Sequence, residues 1–118
     1  MGIFKSLLGL KDVEVKGQTK VGRLKADFKE SFGTEIRIYK SLNTGRGSKK
    51  ADDKSTLASI CAEGSKITSI TIKKSQTVEQ IEDQFKSQMG IGVQIAGPDG
   101  TKLAPDYMKL KDIIKQMS

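Results

Sequence analysis

The fold of this chain is decided by residues 70–96, which read ITIKKSQTVEQIEDQFKSQMGIGVQIA. The first three residues alternate apolar, polar and apolar, as in a strand with one buried face, and VQIA near the end alternates again. Between them, apolar residues recur at steps of three and four, which predicts an amphipathic helix over 77–89. The stripe consists of Val78, Ile81, Phe85 and Met89. Such a stripe is typical of a helix that packs on a core.

The same pattern occurs 57 positions earlier, in residues 13–39, which read VEVKGQTKVGRLKADFKESFGTEIRIY. Phe28 aligns with Phe85 and Gly33 with Gly90, and no gap is needed. The offset then contracts to 53, where four further pairs match: Ala51 with Ala104, Asp53 with Asp106, Leu57 with Leu110 and Ile60 with Ile113. We interpret the chain as an internal duplication, with a second main helix over 20–32.

We predict an N-terminal segment, 1–10, followed by a single domain over 11–118. Repeat one covers 11–65 and repeat two covers 66–118. A unit of about 55 residues is marginally stable alone, so the two repeats are expected to share one core. The alternative is two separate small units with few contacts between them.

The predicted fold class is α+β, with two β-α-β repeats related by a pseudo-twofold axis. A strand, helix and strand in succession usually form a right-handed parallel crossover. We therefore expect a mixed sheet of four or more strands, covered mostly on one face by the helices 20–32 and 77–89.

Repeat two resembles the β-grasp core of ubiquitin-like proteins. The shared layout is a helix that starts at Thr77-Val78 and ends at Gly90, a strand that ends at Ala96-Gly97, and a late helical turn at Leu110 to Ile113. Repeat one follows this layout more loosely. The whole chain also resembles small bacterial proteins with the same duplicated pattern, and that resemblance implies no activity.

Two departures limit what the ubiquitin-like resemblance implies. The chain ends without the paired glycines of a conjugated modifier, so conjugation is not expected. At the outward strand position where ubiquitin has a contact isoleucine, this sequence has Arg37 in repeat one and Gln94 in repeat two. A hydrophobic contact patch is therefore not expected at that position.

Most catalytic chemistry lacks its usual residues in this sequence. With no histidine and a single cysteine, Cys61, neither a nucleophile–histidine arrangement nor a histidine-containing zinc site can form. Two groups of carboxylates remain, Asp52-Asp53 and the set Glu79, Glu82 and Asp83, and we interpret both as solvated surface. We predict no catalytic residues, no metal site and no cofactor.

Positive charge is concentrated in repeat one. The chain carries a net charge of +7, of which residues 1–54 contribute +6, with 13 basic and 7 acidic residues. A fixed positive potential attracts polyanions. The candidate binding surface is Arg37, Tyr39, Lys40, Arg46, Lys49 and Lys50. Tyr39 is included because an exposed aromatic ring beside basic residues can stack on a nucleic-acid base.

Length, hydropathy and the lone cysteine bear on location. No stretch approaches the roughly 20 apolar residues of a membrane span, and the N-terminal segment lacks a signal-peptide core, so a cytoplasmic location is expected and a membrane partner is not. Cys61 is expected to be a buried, unreactive thiol. Residues 1–6, MGIFKS, match a myristoylation pattern, which we interpret as a segment that packs on the domain or on a partner.

By elimination, the leading functional hypothesis is a non-enzymatic protein-interaction module with an unidentified protein partner. The first alternative is binding of nucleic acid or another polyanion through repeat one. The second is an enzyme that depends on carboxylates or a bound metal.

Overall fold

The computed structural model describes residues 10–117, so nearly all of the predicted N-terminal segment, including MGIFKS, lies outside the described residues. The strands are β1 Val13–Val15, β2 Glu35–Ile38, β3 Ile70–Ile72 and β4 Val93–Ala96. The helices are α1 Val21–Phe32, α2 Leu57–Ile60, α3 Val78–Met89 and α4 Leu110–Met117. The α+β class is confirmed, and both main helices lie within one residue of their predicted limits.

The strands pair differently from the prediction. Within residues 10–117, β1 pairs with β3 and β2 with β4, both antiparallel, so the structure has two small sheets where we expected one mixed sheet. Each helix connects a strand of one sheet to a strand of the other. The expected crossover within one sheet is therefore wrong. Alternation identifies the buried face of a strand but does not identify its neighbour, which explains the error.

Short segments extend the β2–β4 sheet on both sides. Residues 49–51 run antiparallel to the end of β2, through the hydrogen bonds from Lys40 N to Lys49 O and from Ala51 N to Ile38 O. Residues 102–104 run antiparallel to the end of β4 through equivalent bonds. Bridges at Tyr39–Lys50 and Ala96–Leu103 complete the two edges. The sheet therefore has four antiparallel segments across its width.

Helices α1 and α3 are built alike and end alike. Each is followed by a glycine in the left-handed conformation, Gly33 with φ 69° and Gly90 with φ 64°, whose N–H bonds back to the last turn. Glycine adopts this conformation without the steric cost that other residues incur. The chain can then turn directly into β2 after α1 and toward β4 after α3.

A hydrophobic cluster of the described residues contains side chains of both repeats. Phe28 and Phe85 are both fully buried in it, which confirms their predicted burial in a shared core. The inner face of the β2–β4 sheet contributes Ile36, Ile38, Val93 and Ile95. Helix α1 contacts β1 and β2, and α3 contacts β3 and β4. The opposite face of the β2–β4 sheet is therefore the one that points away from this core.

Backbone hydrogen bonds outside the ladders recur at the two sequence offsets. Val21 N donates to Ser55 O at 2.9 Å, and Val78 N donates to Met108 O at 2.9 Å. In each pair of bonds the donor shifts by 57 residues and the acceptor by 53. The same relation holds for Gly22 N to Asp53 O and Glu79 N to Asp106 O, and for Leu57 N to Thr19 O and Leu110 N to Gln76 O. Positions aligned by sequence thus have equivalent backbone partners.

Cys61 is less buried than expected. Its side chain is partly exposed at the end of α2, and Sγ lies 3.2 Å from the carbonyl oxygen of Ala58. Helix α2 has a single turn, so the apolar face that was expected to cover the thiol is short. The prediction of a fully buried thiol is wrong.

Candidate functional site

The face of the β2–β4 sheet that points away from the core is the candidate site. Opposite residues on antiparallel strands share a face, and successive residues alternate between faces. Six side chains therefore belong to this surface, which we call the outer face: Glu35, Arg37, Tyr39, Lys50, Gln94 and Leu103. Both repeats contribute to it.

Arg37 and Gln94 form the centre of the outer face. They are directly opposite each other in the ladder and are both partly exposed. Arg37 Nη2 donates a hydrogen bond to the carbonyl oxygen of Gly100 at 2.8 Å. Tyr39 Oη donates to Gln94 Oε1 at 2.7 Å. These bonds hold two long side chains in fixed positions, so less side-chain entropy is lost when a partner binds.

The outer face also carries exposed apolar surface. Leu103 is 46% exposed at the edge that residues 102–104 form. Leu42 and Tyr107 are the other exposed large hydrophobic residues of the described chain, and they lie outside the outer face as defined above. An exposed leucine beside a fixed arginine is a common composition for a protein-binding surface.

The structure divides the six predicted basic-surface residues between different places. Arg37, Tyr39 and Lys50 belong to the outer face. Lys40 and Lys49 pair with each other one position further along, where alternation directs side chains to the other face. Arg46 is exposed in the connecting loop. The residues predicted as one surface are therefore not all on the same face.

Tyr39 does not have the exposed ring that base stacking requires. Its side chain is only 6% exposed, and its hydroxyl group is bonded to Gln94. The sequence placed Tyr39 correctly next to Arg37 but did not show that Gln94, 55 residues away, binds its hydroxyl group. The prediction of an exposed stacking ring is wrong.

Glu82 in α3 differs from the solvated carboxylate that we predicted. It is partly buried beside a cavity of about 100 Å³. Burial, and next the nearby carboxylate of Asp106, raises the pKa of Glu82 from 4.5 to about 7. The repeat register contained this signal, because it aligns Glu82 with Lys25 and Asp106 with Asp53. Lys25 and Asp53 form an ion pair at 2.9 Å, whereas their counterparts have like charges.

Groups of side chains that could hold a metal ion, and helices that could cross a membrane, were sought in residues 10–117. That part of the chain contains no cluster of three or more suitable cysteine or carboxylate ligands. None of its helices is both long and apolar enough for a transmembrane span. Comparisons of the chain with family models, with curated proteins and with solved structures gave no match.

Proposed function

We propose that the protein is a non-enzymatic interaction module that binds a partner protein through the outer face. The observation that carries this proposal is the combination of fixed polar residues, Arg37 and Gln94, with the exposed side chain of Leu103 on one surface. Interfaces obtain most of their affinity from a few such side chains, surrounded by polar groups that exclude water.

Charge defines the kind of partner. The chain has a net charge of +7, and the outer face contains Arg37 and Lys50 against the single carboxylate of Glu35. A complementary partner presents an acidic group toward Arg37 and an apolar side chain toward Leu103. Complementary charge speeds association and selects among partners.

The architecture proposed with this function is a duplicated, β-grasp-like unit whose copies are related by a pseudo-twofold axis. Two ladder pairs support the axis, since Glu14 pairs with Thr71 and Arg37 with Gln94, and each pair joins positions 57 residues apart. A twofold axis through both pairs makes the outer face a joint product of the two repeats. The proposal retains the cytoplasmic location predicted from the sequence.

The test is affinity capture from a nuclease-treated lysate, followed by mass spectrometry and a binding titration with the captured protein. Leu103→Ser is expected to weaken binding at least about tenfold, because a central contact contributes 2 kcal/mol or more. Leu42→Ser is the matched control, since Leu42 is 42% exposed and lies outside the outer face. Equal binding by the Leu103→Ser protein and the wild type contradicts the proposal.

Polyanion binding is the second candidate function, supported by the exposure of Lys40, Arg46, Lys49 and Lys50. The buried ring of Tyr39 removes its stacking component. Titration with single- and double-stranded nucleic acid at about 150 mM salt distinguishes the two candidates, because screening over roughly 8 Å suppresses weak attraction. We expect no saturable binding. A saturable isotherm that the triple variant Arg46→Ser, Lys49→Ser and Lys50→Ser abolishes reverses the order of the two candidates.

A further inference from the structure

A cavity of about 220 Å³ lies beside β2, where α1 and residues 49–51 approach the sheet. Three cationic side chains from three separate segments line it: Lys25 from α1, Arg37 from β2 and Lys50 from the extending segment. Ile38 and Ala51 contribute apolar wall. We call this cavity the edge pocket. Its volume is below the roughly 300 Å³ at which pockets for drug-sized ligands begin, so it fits a small group.

The cations of the edge pocket differ in how they are held. Lys25 Nζ is bonded to Asp53 Oδ1 at 2.9 Å, which fixes the ammonium group and offsets part of its charge. Arg37 uses one of its five N–H donors on Gly100, and Lys50 has an exposed side chain. Arg37 and Lys50 therefore provide most of the charge that a ligand would meet.

Glu35 is the one acidic side chain among the residues that line the edge pocket. Its carboxylate lies close to the Cα atom of Gly100, since a Cβ atom added to Gly100 would be 1.7 Å from Glu35 Oε2. It repels an anion in the pocket and so lowers the affinity.

We propose that the edge pocket binds a phosphate group, either as a free anion or as the phosphate monoester of a small molecule. Donors that approach from three segments suit a tetrahedral group, which presents three terminal oxygens, better than a planar carboxylate. Guanidinium donors match phosphate oxygens in spacing, and lysine adds point charges. This site does not depend on the outer face binding a protein, because the ligand is small and is tested with purified protein alone.

The pocket is specific to repeat one. At the offsets of 57 and 53, Lys25 corresponds to Glu82, Arg37 to Gln94 and Lys50 to Leu103. Each cation of the edge pocket is thus replaced by a neutral or acidic residue at the equivalent position. The two repeats share a backbone framework, and the difference in side chains directs the anion to one of them.

The proposal is tested by isothermal titration of the purified protein with inorganic phosphate and with O-phosphoserine, at constant ionic strength. Saturable binding at one site is expected. Arg37→Gln and Lys50→Ser are each expected to weaken it about tenfold, the usual loss for a hydrogen bond between charged groups. Glu35→Gln is expected to tighten it, because the repelling carboxylate is removed. Tighter binding of O-phosphoserine than of phosphate identifies a monoester as the ligand, and the reverse order identifies the free anion.

The matched control is Lys49→Ser, which removes the same charge as Lys50→Ser from the neighbouring position on the other face. Thermal denaturation of each variant shows whether it is folded, and Lys50→Ser still tests the site if Arg37→Gln does not fold. No saturable binding by the wild type overturns the proposal. Equal weakening by Lys49→Ser and Lys50→Ser also overturns it, because it reduces the effect to net charge.

Discussion

Helices α1 and α3 occupy equivalent places in the two repeats, and they differ most where they meet the chain between the sheet and the last helix of each repeat. In repeat one, Lys25 of α1 forms an ion pair with Asp53 at 2.9 Å. In repeat two, the corresponding residues are Glu82 and Asp106, two carboxyl groups whose repulsion helps to raise the pKa of Glu82 to about 7. Equal backbones thus carry opposite electrostatics.

This comparison separates what the duplication maintains from what it leaves free to vary. The buried stripes match closely, because any change in volume in a packed core is costly. Positions 25 and 82 are at the margin of the core, where a lysine, a glutamate or a neutral residue can be accommodated at small cost. The edge pocket of repeat one and the raised pKa in repeat two are both products of such marginal positions.

The core is where the comparison can be broken with the largest effect. Phe28→Ala and Phe85→Ala are each expected to lower the free energy of unfolding by about 3 to 5 kcal/mol, because both remove a fully buried ring. Urea denaturation measures the loss. Similar losses are expected because both rings lie in one hydrophobic cluster. Losses below about 1 kcal/mol at both sites contradict a shared core.

The success of the sequence with the core and its failure with the sheets have one explanation. Periods of 3.6 and 2 identify which residues of α1, α3 and the strands are buried, and these periods depend on the local chain alone. Strand partners depend on contacts between distant segments, and β1 and β3 are separated by more than 50 residues. The same limit hid the burial of Tyr39 and the meeting of Lys25 with Arg37 and Lys50 at the edge pocket.

The pair of Glu82 and Asp106 gives a pH-dependent prediction of intermediate size. Since the pKa of Glu82 is about 7 in the folded chain against an ordinary value of 4.5, the folded state binds more protons between these pH values. Stability therefore falls as the pH rises through this window. After allowance for solvent screening, the loss is expected to be about 1 kcal/mol. Four charged residues act on Glu82: Asp106, Asp83, Glu79 and Lys86.

Two substitutions sharpen this prediction. Glu82→Gln is expected to remove the loss of stability between pH 5 and pH 8, as measured by urea denaturation across that range. Glu82→Lys is expected to stabilise the protein at neutral pH, because it recreates beside Asp106 the ion pair of Lys25 and Asp53. Asp83→Asn, at an exposed position on the same helix, serves as the control. An unchanged pH profile in the Glu82→Gln protein contradicts the assignment.

The N-termini of the two main helices give the smallest and most local test. Thr77 forms a capping box with Gln80: Gln80 N donates to Thr77 Oγ1 at 3.2 Å, and Thr77 N donates to Gln80 Oε1 at 2.9 Å. The equivalent residue Lys20 makes no side-chain capping bond within the described chain. Both residues have the same extended backbone, with φ −78° and ψ 148° at Lys20 and φ −80° and ψ 161° at Thr77.

Exchanging the caps tests whether the backbone equivalence is close enough to transfer a side-chain interaction. Thr77→Ala is expected to cost about 1 kcal/mol of unfolding free energy, because the first turn of α3 loses an acceptor for its N–H groups. Lys20→Thr is expected to gain up to about 1 kcal/mol, since its hydroxyl group can accept a hydrogen bond from Arg23 N in the geometry that Thr77 already adopts. Lys16→Thr makes the same change of charge before the helix and controls for electrostatics. A stability gain as large in Lys16→Thr as in Lys20→Thr attributes the effect to net charge, whereas a gain confined to Lys20→Thr demonstrates that the two helix starts are interchangeable.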